Sequence, residues 1–224
     1  MSNTYFQFKH FTVNQDRCAM KVGTDGVLLG AWFGLEPGQS VLDIGTGTGL
    51  IALMAAQRGA GRVVAVEIES DAAAQATENA QASPWPVTVQ NVDISDYRSE
   101  QPFDRIVCNP PYFRDSLRCP DEGRRTARHN DSLSYEDLVS AVCRLLAPDG
   151  EFSVVLPTGT DMIRIAQAAG LNVIRSTEVV TAPGRQPKRV LLTFSRQYRQ
   201  PVSSVLDMTG AEYIGLVKDF YLKY

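Results

Sequence analysis

Histidine is scarce in this chain, with only His10 and His129 among 224 residues, and its four cysteines (Cys18, Cys108, Cys119 and Cys143) nowhere take a Cys-x-x-Cys spacing. A zinc site draws on clustered ligands of those two kinds, so no metal is expected and the thiols read as reduced and structural. Long apolar runs are also missing. Nothing approaches the roughly 18 consecutive apolar residues of a membrane helix, and no basic-then-apolar segment at the N-terminus reads as a signal peptide. The expected address is the cytoplasm. Charge of one sign is lacking too: 22 basic residues stand against 25 acidic ones, a net charge of −3. The overall balance therefore gives no general affinity for nucleic acid. What remains, 44% hydrophobic and 21% charged residues with no long low-complexity run, is ordinary globular composition with enough apolar matter for a sizeable core.

Taken in order, residues 1–38 form a strand and helix appendage, 39–200 the core, and 201–224 a C-terminal tail with a helix, a single domain overall. Tyr5 to Val22 alternates polar and apolar residues around Asn14-Gln15-Asp16-Arg17, which predicts a hairpin outside the core. Thr24 or Asp25 is placed to cap a short helix reaching Trp32. Ser40 to Ile44 then reads as a strand, Gly45-Thr46-Gly47-Thr48-Gly49 as a glycine loop, and Leu50 to about Arg58 as a helix. A second strand ends at Glu67, and an Ala-rich helix capped by Ser70 or Asp71 follows it. A third strand over Val87 to Gln90 leads to Asp93, and a fourth over Phe103 to Cys108 runs into Asn109-Pro110-Pro111-Tyr112. Beyond Ser134 a helix, a turn at Ala147 to Gly150, a fifth strand, a helix over Thr158 to Ala169 and a hairpin of Leu171 to Thr181 with Arg189 to Phe194 complete the core. A short helix is expected over Ala211 to Phe220.

Strands alternating with helices through short connections predict an α/β, doubly wound, mostly parallel sheet, whose ligand sits at the carboxyl ends of the strands. The glycine loop, Glu67, Asp93 and Asn109 all fall at such ends. Glycines allow a tight turn and the close approach of a ligand. A carboxylate about 20 residues further on, at a strand end, suits the two hydroxyls of a ribose. At the fourth strand end two prolines in a row fix the backbone and remove two donors, which makes a rigid shelf. On it the Asn109 side-chain oxygen and the Pro110 carbonyl are two acceptors, and Tyr112 adds an aromatic face. Two acceptors and a flat face suit a planar amine. Gly47-Thr48-Gly49-Leu50-Ile51-Ala52 also satisfies the dinucleotide fingerprint if Ala is allowed at its third position, so a nicotinamide enzyme is a competing reading.

Asn109-Pro110-Pro111-Tyr112 resembles the catalytic motif of the S-adenosylmethionine-dependent amino methyltransferases. Together with Val41 to Gly49, Glu67, Asp93 and the terminal hairpin it is similar to the class I methyltransferase plan across roughly Gln39 to Ser195. That resemblance implies a Rossmann-like, seven-stranded sheet whose last strand is antiparallel, and S-adenosylmethionine as cofactor. It places Asp43, Gly45, Thr46, Gly47 and Gly49 at the methionyl part, Glu67 at the ribose, Asp93 at the adenine amine, and Asn109, Pro110 and Tyr112 in catalysis. Lys21 to Trp32 and Gly184 to Phe194 narrow the likeness to the bacterial family that methylates N(6) of the adenine 3′ to the anticodon in a valine tRNA. A glutamine-amide protein methyltransferase, a guanine amino methyltransferase of ribosomal RNA and a non-catalytic RNA-binding module with a vestigial cofactor fold are the alternatives.

The charge is polarised despite its small net value. Val179 to Leu206 carries five basic residues and no acidic one, whereas Ala60 to Asp104 carries eight acidic and two basic. Phe113 to Leu133 lacks periodicity and is rich in arginine. For the tRNA partner that the resemblance implies, these features predict a basic binding face, with Pro111, Tyr112, Arg114, Arg125, Arg128, Lys188 and Arg189 on the substrate side and Lys9, His10 and Arg17 extending it.

Overall fold

The computed structural model describes residues 3–111 and 133–223. Tyr112 and the arginine-rich stretch with Arg114, Arg125 and Arg128 lie outside them. Within the described residues the chain runs β1 (Tyr5–Gln7), β2 (Thr12–Asn14), α1 (Thr24–Trp32), β3 (Ser40–Ile44), α2 (Leu50–Gln57), β4 (Arg62–Glu67), α3 (Ser70–Gln81) and β5 (Thr88–Asn91). It continues through β6 (Phe103–Cys108), α4 (Tyr135–Leu145), β7 (Leu146–Pro157), α5 (Met162–Ala168), β8 (Asn172–Val180), β9 (Arg189–Ser195), β10 (Val202–Asp207) and α6 (Ala211–Val217).

One sheet of eight described strands, ordered β10-β8-β9-β7-β6-β3-β4-β5, carries the architecture, and β1 and β2 pair separately. All contacts in it are parallel except those of β9, which runs antiparallel to both β7 and β8. Seven of these strands and the β8–β9 hairpin match the expected plan. The eighth, β10, corrects the reading of residues 201–224 as a tail with a helix. Val202–Asp207 pairs along its length with Arg175 to Val180, and α6 follows it. Its pattern of exposed positions, interrupted only near Leu206, looks like tail because it is an edge strand with little to bury.

Residues alternate between the two faces of the sheet, as the pleat demands. Val41, Val63, Ala65, Val107, Val155 and Leu191 join one apolar cluster with α1, α2 and α6, while Leu42, Ile44, Val64, Ile106, Phe152 and Phe194 join a second with α4 and α5. Helix α2 is buried at every position from Leu50 to Ala56, which is why it reads as apolar all round rather than amphipathic. The N-terminal segment does not stand outside the core. Phe8, Phe11 and Val13 are buried in the first cluster, with Phe8 stacked on Phe11 at 4.7 Å between centroids.

Three local expectations are corrected. The N-cap of α1 is Gly23 and that of α3 is Glu69, neither with a side-chain cap, in place of Thr24 or Asp25 and Ser70 or Asp71. Ala147 to Gly150 is no free turn. It lies inside β7 as an irregularity, where the pairing jumps from Phe103 with Leu146 to Arg105 with Glu151. Ser134, by contrast, caps α4, its hydroxyl accepting the Asp137 N–H at 3.0 Å. No helix among the described residues is long and apolar enough to cross a membrane.

Candidate active site

Strand register brings the site together. Ile44 pairs with Val66 on one side and with Cys108 on the other, so Gly45, Glu67 and Asn109 emerge next to one another from three adjacent strands. Two strand spacings, about 10 Å, separate Glu67 from Asn109. Between them lies the point where the strand order reverses, with β4 on one side of β3 and β6 on the other, the usual crevice for a ligand.

The glycine loop is built for that crevice. Gly45 and Gly47 sit at φ +67° and +56°, a left-handed conformation that residues with a Cβ adopt at a cost. A Cβ built on either would meet nothing within 4 Å, so the conformation rather than crowding within the chain demands glycine, and the space above the loop is open. The Gly45 and Thr46 N–H groups both donate to the Val66 carbonyl, at 2.9 and 3.1 Å, and pin the loop to β4.

Asp43 is 1% exposed beneath this loop. Its Oδ2 accepts the Thr46 hydroxyl at 2.5 Å and the Ala52 N–H at 3.1 Å, so it caps the start of α2 from a distance. Its Oδ1 is buried without a hydrogen-bond partner. Burial pushes the carboxyl up to about 7, against the pull of those two hydrogen bonds, with the Glu67 charge adding to the rise. An unpartnered buried carboxylate oxygen is costly unless something cationic completes it. Thr46, one of the expected ligand contacts, turns its hydroxyl inward to Asp43.

Glu67 ends β4 with its carboxylate oxygens accepting the Gly47 N–H at 2.8 Å and the Glu69 N–H at 3.1 Å. Each carboxylate oxygen has two lone pairs, so both retain capacity for a further donor. Asn91 donates from Nδ2 to the Glu67 and Ile68 carbonyls, both at 2.9 Å, and the Val92 N–H also donates to the Glu67 carbonyl, clipping the end of β5 to that of β4. Asp93 thereby comes beside Glu67. It forms an Asx turn, Oδ1 accepting the Ser95 N–H at 2.8 Å, and uses its other oxygen in none of the described hydrogen bonds.

Asn109 and buried Pro110 leave β6 under the first turn of α1. A Cβ on Gly26 would lie 3.7 Å from Asn109 Nδ2 and 3.2 Å from Leu50 Cδ2, so helix and shelf are in close approach. Among the described residues no hydrogen bond occupies the Asn109 amide.

A family model described as "Methyltransferase small domain" matches residues 21–180. The chain belongs to this methyltransferase family. Over 237 residues it is 49% identical to the tRNA1(Val) (adenine(37)-N6)-methyltransferase of Bacteroides fragilis, covering 100% of both chains. To the enzyme of the same name in Aeromonas hydrophila it is 45% identical, covering 99% of this chain and 98% of the other. Among solved structures, a predicted O-methyltransferase from Agrobacterium tumefaciens superposes with a TM-score of 0.62 at 20% identity, over 84% of this chain and 89% of that one, a likeness of fold.

The methyltransferase holds its site with residues that the sequence reading passed over. Asn79 of α3, 1% exposed, accepts the Asn14 N–H on Oδ1 and donates from Nδ2 to the Asn14 and Thr48 carbonyls, all at 2.9 Å. One turn earlier Gln75 accepts the Arg17 N–H at 2.9 Å and donates to Asp16 at 2.7 Å. The two amides fasten the N-terminal hairpin to the wall of the glycine loop. Their spacing of four residues on one helix face was the available signal, masked by an otherwise Ala-rich run. On the expected basic face, Arg17 is ion-paired with Glu78 and Lys9 donates to the Lys218 carbonyl at 2.5 Å. The Arg189 guanidinium donates to Asp25 of α1 at 2.8 Å. The structure thus brings Asp43, the glycine loop, Glu67, Asp93, Asn109 and Pro110 to one edge, with Lys188 and Arg189 at the start of β9.

Proposed function

We infer that this methyltransferase transfers a methyl group from S-adenosylmethionine to the exocyclic N(6) amine of an adenine in the anticodon loop of a valine tRNA, in the cytoplasm. The observation that carries the reading is the Asn109-Pro110 shelf beside an open glycine loop, in a chain similar over its whole length to enzymes of that name.

The residues present fit the cofactor. The open space over Gly45 and Gly47 admits its methionyl part, the unpartnered Asp43 Oδ1 suits an ammonium group, and Glu67 suits the ribose hydroxyls, with Asp93 next to it for the adenine amine. When bound, S-adenosylmethionine supplies an electrophilic sulfonium methyl.

An aromatic amine is a weak nucleophile because its lone pair is delocalised into the ring. Asn109 Oδ1 and the Pro110 carbonyl accept its two hydrogens, which favours a pyramidal nitrogen with its lone pair directed away from both acceptors. Holding that geometry lowers the barrier by positioning, which in favourable cases is worth on the order of 7 to 11 kcal/mol. The nitrogen becomes acidic once substituted, so its proton leaves without a dedicated base. Pro111 and Tyr112 hold the swung-out base, stacking on Tyr112 being worth roughly 1 to 3 kcal/mol. Arg114, Arg125, Arg128 and Lys188 are the proposed phosphate contacts.

The test is to incubate the protein with methyl-labelled S-adenosylmethionine and, in parallel, unmodified valine tRNA, a release factor and ribosomal RNA, then digest the products. Labelled N(6)-methyladenosine from the tRNA is the expected result. Label in glutamine or guanosine would overturn the substrate, and cofactor binding with no label anywhere would overturn catalysis.

A further inference from the structure

Asp25 and Arg189 are 164 residues apart in sequence and yet bonded, Arg189 Nε to Asp25 Oδ2 at 2.8 Å, with the two side chains 32% and 27% exposed for Arg189 and Asp25 respectively. Neither partner sits on a loose element. Arg189 opens β9, in register with Pro157 at the end of β7 and Val179 in β8, so the sheet fixes it on two sides. Cys108 is level with Val154 of β7, and Pro157 lies three residues further on. The ends of β7 and β9 therefore rise about 7 Å past the Asn109 shelf as a wall beside it. Asp25 is the second residue of α1, immediately before Gly26, whose Cα faces Asn109. The pair ties the start of the helix that covers Asn109 to the wall that flanks it.

We propose that the Asp25–Arg189 pair is a positioning device that sets the width of the slot in which the target base meets Asn109, and that Arg189 acts on α1 rather than on a phosphate. This rests on the functional reading above. A partly exposed ion pair contributes little to global stability, so its removal leaves the protein folded. Its leverage is geometric. The α1 N-terminus has no side-chain cap, and Gly26 leaves only van der Waals clearance to Asn109. A misplacement of about 1 Å near the chemistry is enough to cost on the order of a hundredfold in rate.

The experiment compares wild type, Asp25→Asn, Arg189→Gln and the exchanged double variant Asp25→Arg/Arg189→Asp. For each, single-turnover methyl transfer to unmodified tRNA is measured at saturating enzyme and cofactor, with tRNA affinity as a function of salt and cofactor affinity alongside. Each single variant is expected to transfer methyl roughly ten- to a hundredfold more slowly. Cofactor affinity, tRNA affinity and the salt slope stay unchanged, and the exchanged variant recovers most of the rate. If Arg189→Gln instead weakens tRNA binding and lowers the salt slope by about one, while Asp25→Asn is as fast as wild type, Arg189 is a phosphate ligand and the proposal falls. An exchanged variant no better than the slower single one overturns it equally. A wild type that methylates no tRNA overturns the functional reading, whereas an active wild type with unimpaired variants overturns only the role of the pair.

Discussion

The two halves of the proposed active site are made in different ways. The proposed cofactor half comes mostly from one continuous stretch, Asp43 to Glu67, with Asp93 added from the end of the next strand; within that stretch strand, glycine loop, helix and strand each fix the next, as Asp43 caps α2 and Glu67 reaches back to Gly47. The proposed substrate half is assembled from distant pieces, with Asn109 at the end of β6, Gly26 above it on α1, and Arg189 of β9 fastened to Asp25. A local unit is formed by its own hydrogen bonds. An assembled one is only as well placed as the sheet and helix that carry its parts, so the two halves are expected to fail independently.

The sharpest test of that separation is Asn109→Ala. Methyl transfer is expected to fall by about a hundred- to a thousandfold, as for removal of a preorganised catalytic group, while calorimetry finds cofactor affinity unchanged. If affinity falls in step with rate, the halves are not separate. Glu67→Gln is the mirror experiment. Losing the charge weakens hydrogen bonds worth about 1.5 to 3 kcal/mol, so the cofactor Kd rises roughly ten- to a hundredfold, and kcat at saturating cofactor is retained. Gly26→Ala tests the overlap of helix and shelf. Alanine favours a helix by up to ~1 kcal/mol, so Tm should not drop, yet the new methyl crowds Leu50 and fills the gap to Asn109, and turnover should fall several-fold. A loss of Tm with full specific activity would show that Gly26 serves packing alone.

The last contrast is read in stability rather than turnover and concerns Asp43, whose carboxyl burial raises from 3.8 to about 7 in the folded protein. A raised folded pKa means that the native state holds a proton the unfolded chain has released, so this group's contribution to stability is present at low pH and lost as pH rises through about 7. The cofactor-free protein should accordingly lose stability between pH 4 and 7 relative to Asp43→Asn, followed as the Tm difference between the two. A constant difference across that window would place the proton elsewhere.

These contrasts also explain what the sequence disclosed. The placement of the glycine loop, Glu67, Asp93 and Asn109 at one edge of the sheet was legible because its signals are local: glycines at a tight turn, a carboxylate at a strand end, two prolines closing a buried strand. The β8–β9 hairpin was legible for the same reason. Illegible were the Asp25–Arg189 bond and the Asn79 bridge, which join segments 164 and 65 residues apart and leave no periodic trace. Strand β10 was missed because an edge strand needs little apolar alternation, and the burial of Phe8 because a short segment gives no sign of which surface it will cover. The caps at Gly23 and Glu69 carry no side-chain bond at all, so no capping residue marked them.

Helix α1 ends in a clasp. Arg58 donates to the Gly30 and Phe33 carbonyls, both at 2.8 Å, Arg105 to Gly34 at 2.7 Å and Arg175 to Trp32 at 3.2 Å, each from a different element, and Arg175 also lies over the Trp32 ring. Three cations at the negative end of the helix dipole satisfy its last carbonyls. The opposite end, over the shelf, has Gly23 and no side-chain cap. The helix is thus hinged like a door, bolted to the core at Trp32 and latched at Asp25. Its amides should exchange with solvent first near the latch and last near the bolt, so opening the proposed substrate slot need not loosen the fold that carries it.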